Sequence, residues 1–90
     1  MPVLMIADVE HLTEEIYASM VDQMMPLMRA ATGFISHAAG PGPDGCWRIV
    51  ELWESEEDGQ QWFDATVKPV LPPNIVPSRK YYPLHTAFTG

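Results

Sequence analysis

Ninety residues fit one domain, and a chain this short buries only about 60 to 65% of its unfolded surface, a thin core that a partner subunit would reinforce. Twelve Asp and Glu against five Lys and Arg give a formal charge of −7, which repels phosphate backbones and anionic headgroups and argues against nucleic-acid and membrane partners. The 47% hydrophobic share excludes a disordered chain, the lone Cys46 excludes an intramolecular disulfide, and no Cys/His spacing resembles a metal site.

Pro2 to Ala7 reads as a first strand, a short apolar run closed by Asp8. The run has no basic leader and is too short to span a bilayer, so a soluble, cytoplasmic protein is expected. Thr13 followed by Glu14 and Glu15 opens a first helix, because the hydroxyl accepts from orphan amides and the acids suit the positive end of the dipole. Ile16, Met20, Met24 and Met28 recur every four residues, with Tyr17 and Val21 beside them, and form a stripe facing a core. Pro26 interrupts this pattern, so the helix is expected to kink or end near Met25, with Leu27 to Ala31 as a separate turn.

Gly33 to Ala39 reads as a second strand, and Gly40-Pro41-Gly42-Pro43-Asp44-Gly45 is a strong turn signal. Cys46 to Glu54 is apolar on both alternating faces, as expected of a strand inside a sheet. Ser55 then caps a second helix whose first turn holds Glu56, Glu57 and Asp58, with Trp62, Phe63 and Val67 on its buried side. Pro69, Pro72 and Pro73 end it, and Arg79 through Phe88 reads as a last strand. The order βαββαβ predicts an α+β, ferredoxin-like antiparallel sheet with both helices on one face. The other face would remain an apolar patch unless a second copy covers it, so a homodimer is expected.

Gly33-Phe34, His37, Asp44-Gly45, Trp47-Arg48-Ile49-Val50, Trp53-Glu54-Ser55, Phe63, Val67, Pro69 and Leu71 together resemble the antibiotic biosynthesis monooxygenase superfamily. The similarity is closest to its small actinobacterial members, runs from about the first helix to His85, and makes residues 1–90 a single domain of that kind. The resemblance implies a dimeric α/β barrel, each subunit keeping a pocket between sheet and helices. It also implies cofactor-free oxidation of electron-rich phenols or anthrones, in which a base removes a proton and the carbanion passes an electron to O₂. A small aromatic or hydrophobic ligand and no cofactor are then expected. Heme-degrading relatives share a tryptophan at the position of Trp62, but their heme-ligating histidine falls at about Pro72, and Asp8 stands in place of their asparagine. Heme degradation is therefore not expected.

Candidate catalytic groups are His37 and His85 as bases and Tyr81 as donor, with Tyr81 and His85 two residues apart on one strand face. Structural or interface roles stand beside catalysis for all three. Trp62, Trp53, Phe63, Met20 and Met24 are candidates for a substrate wall, although aromatics and methionines at such spacings also simply fill cores. Gly59 lacks the large apolar side chain common in relatives, which either relieves crowding or enlarges a pocket near Trp62. Glu51, if turned inward beside Trp53, would have its pKa raised by burial and become a proton carrier, unless Arg48 or Arg79 pairs with it. A cofactor-free cyclase or isomerase on the same fold, or a non-catalytic ligand-binding dimer, fits the same residues.

Overall fold

The structure is a computed structural model and describes residues 2–86. Strands β1 (Val3–Val9), β2 (Phe34–Pro41), β3 (Trp47–Trp53) and β4 (Arg79–Pro83) form one sheet in the order β2-β3-β1-β4, and every neighbouring pair is antiparallel. Helix α1 (Glu14–Arg29) joins β1 to β2, and α2 (Glu56–Trp62) follows β3. This is the ferredoxin-like βαββαβ arrangement that the element order predicts.

Alternation along the strands divides the side chains between two faces. Met5, Ala7 and Val9 of β1 stand opposite Glu51, Ile49 and Trp47 of β3, and Met5 and Ala7 also oppose Tyr81 and Arg79 of β4. These positions look toward the helices, and Met5, Val9 and Trp53 are fully buried there. Burying such a side chain stabilises the fold by about 1.5–3 kcal/mol each. Phe34 meets Trp53 edge-on with ring centroids 5.5 Å apart, and Trp62 lies against the same indole at 5.9 Å. Leu4, Ile6, Val50, Leu52, Lys80 and Tyr82 occupy the opposite face.

Both predicted helix starts are built as capped ends. Thr13 Oγ1 accepts from the Ile16 amide at 3.2 Å, and Ser55 Oγ accepts from the Asp58 amide at 3.1 Å. The end of α1 differs from expectation, since the helix runs through Pro26 to Arg29. Asp22 and Pro26 are exposed, so the carbonyl that proline leaves without a donor meets water, while the buried Met28 anchors the turn beyond it. Packing outweighs the local penalty. Helix α2 continues as a wider π turn over Phe63–Val67 and a tight 3-10 turn over Lys68–Val70 before the prolines stop it.

Two glycines are required by backbone geometry or close approach. Gly33 has φ +81°, and a Cβ there would collide with the Asp58 carboxylate. A Cβ on Gly59 would sit 3.0 Å from two atoms of the Trp53 indole and from Tyr81 Oη. Gly59 therefore lets α2 approach the sheet. It is not among the residues lining the cavity described below, so of the two roles open to it, relief of crowding is the one the packing supports.

The last strand is shorter than expected, ending at Pro83; Phe88 lies outside the described residues. Proline at that position has no amide to extend the ladder. Among the described residues no helix is long and apolar enough to cross a membrane.

Candidate functional site

Between α1, the end of α2 with the turns that follow it, and the helix-facing side of the sheet lies a cavity of about 80 Å³. Met20, Met24 and Met28 of α1 form one wall, Trp62 and Phe63 another, and His37, Glu51 and Arg79 rise from the sheet floor. Most of the remaining lining is aliphatic.

The polar floor is a single connected network. His37 and Glu51 are directly paired across β2 and β3, which places His37 Nδ1 2.9 Å from Glu51 Oε2. Glu51 is only 2% exposed, and its Oε1 accepts from Trp53 Nε1 at 2.9 Å and from an Arg79 amino group at 3.3 Å. Burial pushes the Glu51 carboxyl up, but the His37 hydrogen bond, the Arg79 charge and the Trp53 donor together outweigh it and hold its pKa below the ordinary range. Of the two readings the sequence left open, a proton carrier with a raised pKa and an arginine-paired carboxylate, the second is the one formed. Glu51 does turn inward beside Trp53, but it is a fixed carboxylate partnered by Arg79, while Arg48 pairs with Asp8 on the opposite face.

An ionised carboxylate only accepts, so His37 Nδ1 carries the hydrogen that Glu51 receives. In the neutral imidazole the lone pair is then on Nε2, which accepts from the Tyr17 hydroxyl at 2.6 Å. Burial, and next the Glu51 charge, raise the Tyr17 pKa and keep it a neutral donor. The ring of Tyr17 stacks nearly parallel to His37, at 4°, and leans on Trp47. Tyr17 and His37 both contribute to the lining of the cavity.

Arg79 closes the other end. Its side chain is 7% exposed, its guanidinium lies 4.5 Å above the Phe63 ring centre, and the amino group that meets Glu51 also donates to Tyr81 Oη at 3.0 Å. Tyr81 in turn donates to Gln60 Oε1 at 3.4 Å. Burial raises the Tyr81 pKa, partly offset by the Arg79 hydrogen bond.

Of the residues singled out from sequence, His37, Trp62, Phe63, Met20 and Met24 converge on the cavity. Trp53 does not line it; the indole is core and holds Glu51. Tyr81 stands behind Arg79 rather than on the lining. His85 lies past the end of β4, exposed, with Nδ1 2.7 Å from Thr86 Oγ1, so no Tyr81–His85 pair forms. The histidine's tyrosine is Tyr17. Its signal was present, since Tyr17 sits three residues before Met20 on the buried stripe of α1.

Comparison with known proteins agrees with this architecture. The heme-degrading protein Rv3592 of Mycobacterium tuberculosis superposes with a TM-score of 0.67 at 19% identity, covering 100% of this chain and 98% of that one. A structure of the same mycobacterial protein with two hemes bound in its active site gives 0.66 at 17% identity, covering 97% and 99%. A proposed monooxygenase of Shewanella loihica PV-4 gives 0.61 at 17% identity, covering 96% of each chain. No protein-family model and no curated protein matches the chain. The chain shares the ferredoxin-like fold of these proteins over nearly its whole length. At these identities the likeness is one of fold.

Proposed function

We propose that the protein is a homodimeric, cofactor-independent monooxygenase-type enzyme of secondary metabolism, cytoplasmic, built of a single domain and acting on an aromatic, polyketide-like substrate. The observation that carries this reading is the Tyr17–His37–Glu51 relay opening onto an apolar cavity. Glu51 holds the imidazole in the tautomer whose Nε2 is basic and stabilises the imidazolium after it takes a proton, the role a carboxylate plays behind a histidine base elsewhere. Tyr17 donates to the same nitrogen and is placed to donate to oxygen charge on a bound phenol or anthrone once the proton moves. The carbanion left behind reduces O₂ directly, and the apolar methionine wall keeps bulk water from it.

At about 80 Å³ the cavity is smaller than the roughly 150 Å³ that holds benzene, so even a single ring requires the lining to give way. Fused substrates require Met20, Met24 and Met28 to repack, which flexible thioether chains do readily. Heme, the ligand of the mycobacterial neighbour, does not fit this site. The cavity is far below the roughly 300–1,000 Å³ of cofactor pockets, and Pro72 offers no ligand atom.

Dimerisation is supported by the apolar sheet face of Leu4, Ile6, Val50 and Leu52, which no helix among the described residues covers. Oxygen uptake with a panel of anthrones and polyphenols tests the reading: His37-dependent consumption is expected, and none across the panel removes it. The relay equally supports a cyclase or isomerase, because it moves a proton without oxygen; turnover under strict anaerobiosis would select that alternative. A stable dimer that binds aromatics without turning any over would select the non-catalytic reading.

A further inference from the structure

The three tyrosines of the chain differ in where a phenolic proton can go. Tyr82 is exposed and can give its proton to water. Tyr81 Oη accepts from the Arg79 guanidinium and faces the Gln60 amide oxygen at 3.4 Å, so it meets a cation and a group that takes up no proton. Among the described residues only Tyr17 has a base in contact, His37 Nε2 at 2.6 Å, and behind that base the Glu51 carboxylate stands ready to balance an imidazolium. Such a base matters most when an electron leaves the ring. A phenol that loses an electron becomes a strong acid, and its oxidation is easy where the departing proton already has an acceptor.

Trp47 supplies the electron path. Its ring centre is 5.3 Å from that of Tyr17 and the two rings are tilted by 43°, so their π-systems are in contact. The indole is half-buried, and its Nε1–H is buried without an acceptor among the described residues. An indole oxidised there has nowhere to send its proton. It stays a cation radical, a stronger oxidant than the Tyr17–His37 pair, and draws an electron from Tyr17.

We propose that Tyr17 is a redox-active tyrosine, oxidised by one-electron oxidants through Trp47 with His37 as the proton acceptor. The oxidant takes one electron from Trp47, and the indole cation radical takes one from the Tyr17 ring. The phenolic O–H bond breaks as its proton bonds to His37 Nε2. The products are the reduced oxidant, neutral Trp47, a neutral tyrosyl radical and an imidazolium facing Glu51. The site is one unit more positive and the oxidant one unit more negative. His37 Nε2 has a single lone pair, so a molecule in which it already holds a substrate proton cannot also accept the proton of Tyr17, and the two uses alternate. The redox pair needs no turnover in the cavity. Only the class of oxidant met in the cell, a phenoxyl or peroxyl radical arising from substrate and O₂, rests on the function proposed above.

The test uses full-length protein and photogenerated tris(bipyridyl)ruthenium(III) as the one-electron oxidant, with radicals trapped by freezing and read by electron paramagnetic resonance. A neutral tyrosyl radical is expected, recognised by the collapse of its hyperfine splitting with ring-deuterated tyrosine. It should be lost in Tyr17→Phe and retained in Tyr81→Phe and Tyr82→Phe. Trp47→Phe should lower its yield. His37→Gln keeps a hydrogen-bond acceptor for Tyr17 but no base, and should leave a tryptophan radical in place of the tyrosyl one. In the unmodified protein exchanged into D₂O, electron–nuclear double resonance should show a deuteron coupled to the tyrosyl oxygen, a reading that needs no variant. A tyrosyl radical that survives Tyr17→Phe, that forms equally in His37→Gln, or that lacks the coupled deuteron overturns the proposal. An unchanged yield in Trp47→Phe overturns the route through the indole. None of these readings involves a substrate, so their failure leaves the oxygen-uptake result standing, and a failure of oxygen uptake leaves them standing.

Discussion

His37 and Glu51 face each other directly across β2 and β3, and that register produces the 2.9 Å hydrogen bond on which the relay depends. The hairpin turn fixes the register, and a one-residue slip of either strand would turn its side chain to the opposite face and break the pair. Activity is therefore expected to be sensitive to turn length. His37→Ala should lower kcat on any substrate found by oxygen uptake by about 10²–10⁴-fold while leaving the thermal unfolding profile two-state. Full activity in that variant would remove His37 from the chemistry.

Glu51 links pH to stability. Its folded pKa lies below the ordinary glutamate value, so the stabilisation it contributes is fully present above the unfolded pKa and is lost as pH falls through the lowered folded value. Denaturant unfolding across the acid range should show this loss in the native protein and a flatter acid limb in Glu51→Gln. At neutral pH that substitution leaves the Arg79 charge buried without its partner and should cost about 2–4 kcal/mol.

Gly59→Ala sets two effects against each other. Helix propensity gains about 1 kcal/mol, while a Cβ 3.0 Å from the Trp53 ring and Tyr81 Oη forces overpacking of about 1–3 kcal/mol. Trp53 is fully buried and cannot swing away, so crowding should win by about 1 kcal/mol. A stabilised variant in a denaturant titration would show that α2 shifts easily away from the sheet.

The sheet face opposite the helices should decide the oligomeric state. Ile6→Asp and Val50→Asp place a charge in the middle of the apolar patch and should convert a dimer to monomer in light scattering, with the helix-side cavity intact. A change confined to the cavity, with assembly unaltered, would move the interface elsewhere.

Much of the fold was legible because its signals are local. Thr13 and Ser55 announce their helices with a hydroxyl and following acids, and the Gly40–Gly45 turn announces its hairpin. The site was only partly legible: His37 and Glu51 each stood out from the sequence, but their pairing across β2 and β3 appears only in the register. What sequence concealed depends on distant partners. Sequence left Arg48 and Arg79 both open as partners of Glu51; only the fold selects Arg79, and with it a lowered pKa. Only packing of Met28 carries α1 through Pro26, and β4 stops at Pro83 before reaching His85. Trp53-Glu54-Ser55 was correctly legible as a strand-to-helix joint, yet the indole's further task, donating to Glu51, appears only once β3 is folded against α2.

The most direct test of the relay is the tautomer of His37, read from long-range ¹H–¹⁵N correlations of its ring under conditions where the imidazole is neutral. Hydrogen on Nδ1, facing Glu51, with Nε2 bare toward Tyr17, is the expected result. Hydrogen on Nε2 with Nδ1 bare would contradict it, because the nitrogen facing Tyr17 would then have no lone pair with which to act as base.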